Sequence, residues 1–202
     1  MRRFRLDRRR TSGRTRALAR NVELKVRCDA ETLSAIEGRL RDTGHELDEL
    51  HQIDTYFRTA RNRLKVREIH TVEENTVELI AYARPNELGA RVSDYERVAI
   101  PRSERAALLA GLRASLEETV VVEKVRRVAI IGRTRIHLDR VATLGTFVEL
   151  ETVLDDGADE DDGRAESANV AALLGIDTLA PIAASYSDLL GGAPTTDAAP
   201  ER

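Results

Sequence analysis

Asn21-Val-Glu-Leu-Lys-Val-Arg27 decides the fold. Val22, Leu24 and Val26 alternate with Glu23, Lys25 and Arg27. An extended chain places three apolar side chains on one face and three charged ones on the other, whereas a helix would scatter both sets. Asp29, a good helix N-cap, comes next, and Leu33, Ile36 and Leu40 follow at helical spacing before Gly44. Similar alternation predicts strands over 52–57, 63–69, 77–84, 94–100, 120–131, 133–139 and 146–154. Pro101 ends the fourth of these runs, and Ser103 is the expected cap of a second helix carrying Leu108, Leu109 and Leu112. A third helix is expected over 165–174, stopped by Gly175, after a solvated acidic loop over 155–163. The strand-then-helix unit occurs twice, at 21–43 and 94–113, a hint of internal duplication. Most strands follow one another without a helix between them, so the sheet is antiparallel and the class is α+β, mainly β.

Composition narrows the chemistry. The 32 basic and 35 acidic residues nearly cancel, so no global field points to nucleic acid or to a membrane. A pI near 5.9 and 3% aromatic residues argue further against a nucleic-acid partner. Cys28 is the single cysteine, which excludes an intramolecular disulfide and a cysteine zinc site. A metal would be held by carboxylates, which suits Mg²⁺ or Mn²⁺. No apolar run approaches the roughly 20 residues of a spanning helix, and no apolar segment follows Arg2 and Arg3, so a cytoplasmic protein is expected. Residues 1–20 read as a disordered Arg-rich arm, 21–192 as one domain and 193–202 as a disordered tail.

The polar faces carry the functional signal. Arg63, Lys65 and Arg67 share one face, as do Lys124 and Arg126, while Glu149 and Glu151 align on a late strand. A wet sheet face accounts for any single strand. Together the strands favour a different account, because basic residues recur at i, i+2 spacing while the acids gather on two or three strands. About eight strands can close into a barrel, which turns one face into an interior. An interior rich in Arg and Lys requires a counter-charge, and a polyanion with a cation supplies it. His137 lies on this face and reads as a hydrogen-bonded structural residue.

Taken in order, several short motifs resemble the CYTH superfamily of triphosphate tunnel enzymes, which includes class IV adenylyl cyclases and thiamine triphosphatases. They are Asn21-Val-Glu-Leu-Lys25, Asp54-Thr-Tyr-Phe57, Arg63-Leu-Lys-Val-Arg67, Tyr82-Ala-Arg-Pro85, Ser93-Asp-Tyr95, Glu123-Lys-Val-Arg-Arg127, Thr134-Arg-Ile-His-Leu-Asp139, Phe147-Val-Glu-Leu-Glu151 and Ser185-Tyr-Ser-Asp-Leu-Leu190. Each motif alone is weak, but their order and spacing across about 21–190 are specific.

The resemblance implies a closed eight-stranded antiparallel barrel that binds a triphosphate such as ATP end-on with Mg²⁺ or Mn²⁺. By position, Glu23, Glu149 and Glu151 resemble the metal carboxylates, with Asp139 beside them. Lys25, Arg63, Lys65, Arg67, Arg84, Arg97, Lys124 and Arg126 resemble the phosphate-binding set, and Arg27 and Arg91 extend it. Lys25, Arg67 and Asp139 are the expected catalytic residues, and Tyr186 is placed to cap the tunnel. Asn21 stands where the family's opening strand has its first Glu. The Tyr-x-Arg-Pro and Ser-Asp-Tyr motifs look most like class IV adenylyl cyclases, which convert ATP to cyclic AMP and pyrophosphate. Hydrolysis of a triphosphate is the alternative reaction, and a non-catalytic nucleotide or polyphosphate module is the third reading. A homodimer is compatible with the resemblance, and no membrane partner is expected.

Overall fold

The computed structural model describes residues 14–82, 89–154 and 159–191, with backbone alone for 14–20 and 89–95. Eight strands are present: β1 (Arg14–Cys28), β2 (Asp48–Phe57), β3 (Arg63–His70), β4 (Asn75–Tyr82), β5 (Gly89–Ile100), β6 (Glu118–Ile131), β7 (Thr134–Val141) and β8 (Gly145–Leu154). Four helices accompany them: α1 (Ala30–Asp42), α2 (Arg105–Ser115), α3 (Glu160–Leu174) and α4 (Tyr186–Gly191). Among the described residues no helix is long and apolar enough to cross a membrane.

All strand pairs are antiparallel, and their order is β1-β5-β4-β3-β2-β6-β7-β8. β1 pairs with β5 through Arg14–Glu23 and with β8 through Arg20–Cys28, so the order closes on itself as a barrel. The chain divides into two units of identical plan, β1-α1-β2-β3-β4 and β5-α2-β6-β7-β8. Exchanging the units maps the ring of strand pairings onto itself, and β1–β5 and β2–β6 are the two pairings that map onto themselves. The recurrence at 21–43 and 94–113 is the first part of this pseudo-twofold repeat.

Strand alternation assigns the two surfaces of the wall. Val26, Ile136, Leu138, Val148 and Leu150 are fully buried and face outward, where Leu33, Ile36 and Leu40 of α1 and Val170, Ala171 and Leu174 of α3 cover them. Leu109 of α2 covers Phe57, Val66 and Val77 on the other unit. The alternate residues therefore line the inside, and they include Lys25, Asp54, Lys65, Lys124, Asp139 and Glu149, none more than 9% exposed. A second apolar cluster, Leu50, Ile69 and Val128, continues that inner face beyond the charged layer.

Several boundaries differ from the sequence reading. β1 begins at Arg14, inside the segment read as an arm, because backbone pairing with β5 holds it without apolar periodicity. Residues 1–13, 83–88, 155–158 and 192–202 lie outside the described residues, so most of the expected arm and tail are not addressed. Ser103 is not a helix cap. Pro101 (φ −56°) instead starts a 3-10 turn over Arg102–Glu104, and the Glu104 N–H donates to the Pro101 carbonyl at 2.8 Å. α3 starts at Glu160, five residues before the expected position. Its cap is Asp159, which accepts from the Asp161 N–H at 3.0 Å. Glu160, Asp161 and Asp162 fill the first turn, where the helix dipole favours negative charge. Part of the presumed acidic loop is thus a helix start.

Candidate functional site

The inner wall is organised around two Lys-Val-Arg strands. On β3, Lys65 and Arg67 converge on Asp54 of β2, with contacts of 2.8 Å from Lys65 Nζ, 2.7 Å from Arg67 Nε and 2.8 Å from Arg67 Nη2. Gln52 Nε2 adds a fourth donor at 3.1 Å. On β6, Lys124 and Arg126 converge on Asp139 of β7, with 3.3 Å from Lys124 Nζ and 2.6 Å from both Arg126 Nε and Nη2. In each case the aspartate lies directly opposite the arginine across the strand pair, Asp54 with Arg67 and Asp139 with Arg126. A two-pronged guanidinium–carboxylate contact fixes both side chains in one plane.

Burial and charge oppose one another here. Desolvation raises the pKa of Asp54, but Arg67 and Lys65 outweigh it and hold the carboxyl well below the ordinary range. Asp139 is depressed in the same way, with Arg126 and Lys124 outweighing its burial. The lysines move in the direction burial dictates. Desolvation, reinforced by Arg126, lowers Lys124 to about 8 against the pull of Asp139 and Glu149. Desolvation and Arg67 lower Lys65.

The carboxylates of β8 adjoin the second cluster. Glu149 receives Arg126 Nη2 at 2.8 Å and Lys25 Nζ at 3.2 Å, and His137 Nδ1 lies 3.6 Å away. Burial would raise the Glu149 pKa, but Lys25 leads the groups that hold it well below the ordinary range. One step along the strands, Glu23 and Glu151 face each other across β1 and β8. Glu151 also contacts Arg135 at 3.5 Å. Two residues before Glu23, on the same face, Asn21 presents a buried Oδ1 with no hydrogen-bond partner. Glu23, Glu151 and Asn21 thus form an oxygen-only donor set, which suits a hard divalent cation. Among the described residues no three His, Cys, Asp or Glu side chains converge into a preformed metal cage.

The C-terminal segment packs over the same cations. Arg63 Nη1 donates to Ser185 Oγ at 2.7 Å and Nη2 to Asp188 Oδ2 at 3.1 Å. Tyr186 Oη donates to Asp139 Oδ2 at 2.8 Å. The Tyr186 ring lies under Lys25 and Lys124, with 4.6 Å and 4.9 Å from ammonium to ring centroid. Arg97 binds Glu78 on the neighbouring strand at 2.7 and 2.9 Å. Arg27 is exposed and caps the Leu144 carbonyl at 2.8 Å.

Of the expected site residues, Lys25, Lys65, Arg67, Lys124, Arg126, Asp139 and Glu149 thus lie on one buried polar wall. Glu23 and Glu151 adjoin it, Arg63 is engaged by the C-terminal segment, and Arg97 sits one strand pair away. Arg84 and the Arg91 side chain lie outside the described residues. Sequence reasoning passed over the acceptors Asp54, Glu78 and Asp188. Asp54 and Asp188 stand in quoted motifs, but a lone acid on a strand or helix start carries no sign of which cation it faces.

The CYTH domain family matches residues 19–186. No curated protein matches the chain by sequence. Solved structures share the fold. The PH1012 protein of Pyrococcus horikoshii is 20% identical, covers 84% of this chain and 98% of its own, and superposes with a TM-score of 0.65. A candidate adenylate cyclase from Vibrio parahaemolyticus is 19% identical, covering 84% and 97%, with a TM-score of 0.60. A candidate adenylyl cyclase from Hippeastrum, whose dominant activity is that of a triphosphatase, is 14% identical, covering 88% and 98%, with a TM-score of 0.62.

Proposed function

Since this chain belongs to the CYTH family, we propose that its barrel is a metal-dependent enzyme site that binds and turns over a triphosphate. One observation carries the reading. Five buried or half-buried cations, Lys25, Lys65, Arg67, Lys124 and Arg126, pair among the described residues with three carboxylates, Asp54, Asp139 and Glu149. That surplus of positive charge inside a wall costs desolvation energy unless an anion joins it. A triphosphate carried with one divalent cation brings a net negative charge to answer it.

Glu23 and Glu151 would hold the Mg²⁺ or Mn²⁺, with the orphaned Asn21 Oδ1 and Glu149 beside them. Bound there, the cation supplies charge stabilisation at the phosphate oxygens. Lys65 and Arg67 grip the phosphates from β3, across the barrel from β8, and Lys124 and Arg126 from β6, beside Glu149; all four stabilise charge as it builds in the transition state. Lys25, between Glu149 and the Tyr186 ring, adds a further ammonium near the cation-binding end. Arg63 reaches the phosphates when Ser185 and Asp188 give it up. Catalysis in such a site is chiefly positioning and electrostatics.

The reaction read from the motifs is cyclisation of ATP to cyclic AMP and pyrophosphate. This rests on the resemblance of Tyr82-Ala-Arg-Pro85 and Ser93-Asp-Tyr95 to class IV cyclases. Hydrolysis is the second reading, and the Hippeastrum protein carries that activity on the same fold. The test is to incubate the chain with ATP, inorganic triphosphate or thiamine triphosphate and Mg²⁺ or Mn²⁺, then resolve the products. Cyclic AMP with pyrophosphate supports the cyclase, and released phosphate supports the hydrolase. Binding without turnover sinks both and leaves a sensor. Glu151→Gln is expected to abolish metal-dependent turnover, and unchanged activity would remove Glu151 from the cation site.

A further inference from the structure

Asp54 is 3% exposed and has no place in the proposed contacts with phosphate or cation. It sits on β2, between the two Lys-Val-Arg strands β3 and β6. In the strand order, β6 and β7 separate it from the Glu149–Glu151 strand. It binds Lys65 and Arg67 together, and each of those cations keeps donors to spare. Lys65 uses one N–H on Asp54 and one on the Tyr56 hydroxyl at 3.3 Å, leaving a third. Arg67 spends its Nε–H and one Nη2–H on Asp54, leaving three of its five. The contact with Asp54 fixes the plane in which those remaining donors point.

We propose that Asp54 is a positioning residue that aims the Lys65 ammonium and the Arg67 guanidinium at the triphosphate. The proposal rests on the functional reading above. A carboxylate behind a cation pair has two opposite effects on an anion in front of it. Its charge repels the anion and weakens ground-state binding. Its geometry holds both donors where the transition state needs them. The two effects separate in kinetics. A group that only binds the anion changes KM when lost, whereas a group that aims donors changes kcat.

The experiment compares Asp54→Glu, Asp54→Asn and Lys65→Gln with the unaltered chain, using ATP or inorganic triphosphate with Mg²⁺. Asp54→Glu keeps the charge and displaces the carboxylate by one methylene. It is expected to keep KM within about threefold and to lose kcat by about tenfold or more, as small misplacements do. Asp54→Asn removes the repelling charge. It is expected to bind inorganic triphosphate at least as tightly by calorimetry, and to gain a larger rise in melting temperature from that ligand than the unaltered chain does. Lys65→Gln is expected to raise KM instead. An unchanged kcat in Asp54→Glu overturns the proposal. So does weaker triphosphate binding by Asp54→Asn with kcat intact, which would make Asp54 part of the binding set. Failure of Asp54→Glu to fold even with inorganic triphosphate present would make it a scaffold residue and also overturns it. If the unaltered chain neither binds nor turns over a triphosphate, the functional reading itself fails, which is a different observation from any of these.

Discussion

The two units of the barrel share one plan and carry inverted charge. In the first, the acid is on β2 and the Lys-Val-Arg pair on β3; in the second, the pair is on β6 and the acid on β7. Since β2 and β6 are neighbours, the lining around this junction alternates in sign from strand to strand. A duplicated backbone has thus been given complementary rather than identical linings. The units also differ in how far each acid is wired. Asp54 binds within its own unit, with Lys65, Arg67 and Gln52 as donors. Asp139 takes Tyr186 from the C-terminal segment as well, and shares Arg126 with Glu149. Asp139 of the second unit is therefore tied through Arg126 to the carboxylate wall, while Asp54 of the first stands apart from it. Repetition of topology does not imply repetition of role.

That asymmetry can be broken from either side. Asp139→Asn leaves Lys124 buried without its paired carboxylate and Arg126 with Glu149 alone, and unfolding in urea is expected to show a loss of about 3–5 kcal/mol. Asp54→Asn is expected to cost less under the same conditions, and an equal or greater cost would erase the difference between the units. Both acids have depressed folded-state pKa values. Their stabilisation is present above the unfolded carboxyl pKa, about 3.9, and is lost as pH falls below it towards their folded values.

Tyr186→Phe removes one donor to a buried charge in the second unit alone. A loss of about 1.5–3 kcal/mol is expected for such a bond, and a urea midpoint that does not move would detach the C-terminal segment from Asp139. Lys124, lowered to about 8, sharpens the comparison by pH. Triphosphate affinity is expected to fall as pH rises through about 8, because the neutral amine no longer pairs with phosphate. The stability of the ligand-free chain has the opposite sign. Between pH 8 and about 10.4 the unfolded chain holds the lysine proton more tightly, so this group's contribution rises with pH. Calorimetry and urea titration at pH 7, 8 and 9 would separate the two trends. The smallest effect is expected outside the barrel. Arg58 and Glu117 pair at 2.7 Å in full solvent near the unit junction, and Arg58→Ala is expected to leave the urea midpoint unmoved.

Much of this was visible in the alternation of residues. Val22, Leu24 and Val26 against Glu23, Lys25 and Arg27 marked the first strand and its two surfaces, and Lys65-Val-Arg67 and Lys124-Val-Arg126 marked the cationic wall. Period-two patterns report which face a residue takes, so this part followed from local geometry. The acids that partner those cations were not visible, because Asp54 meets Lys65 and Arg67 only once strand register is set. The early start of α3 was hidden for another reason. Glu160-Asp-Asp162 has the composition of a linker, and only the cap at Asp159 and the dipole make it a helical turn. The start of β1 at Arg14 depends on pairing with a distant strand, which no local pattern records.

The way the ring closes bears on how the chain comes to be folded. Residue 20 meets residue 154, and Tyr186 supplies the last donor to Asp139. A chain emerging from the ribosome can pair its first strand with β5, but the β8 side of that strand stays open until β8 has been made. Until α4 follows, Arg63 and Asp139 lack the partners found at the C-terminal end. Contacts this far apart in sequence place the protein among the slow folders, on a scale of milliseconds to seconds. During that interval the exposed edges of β1 and β8 are the places where a second nascent chain would add.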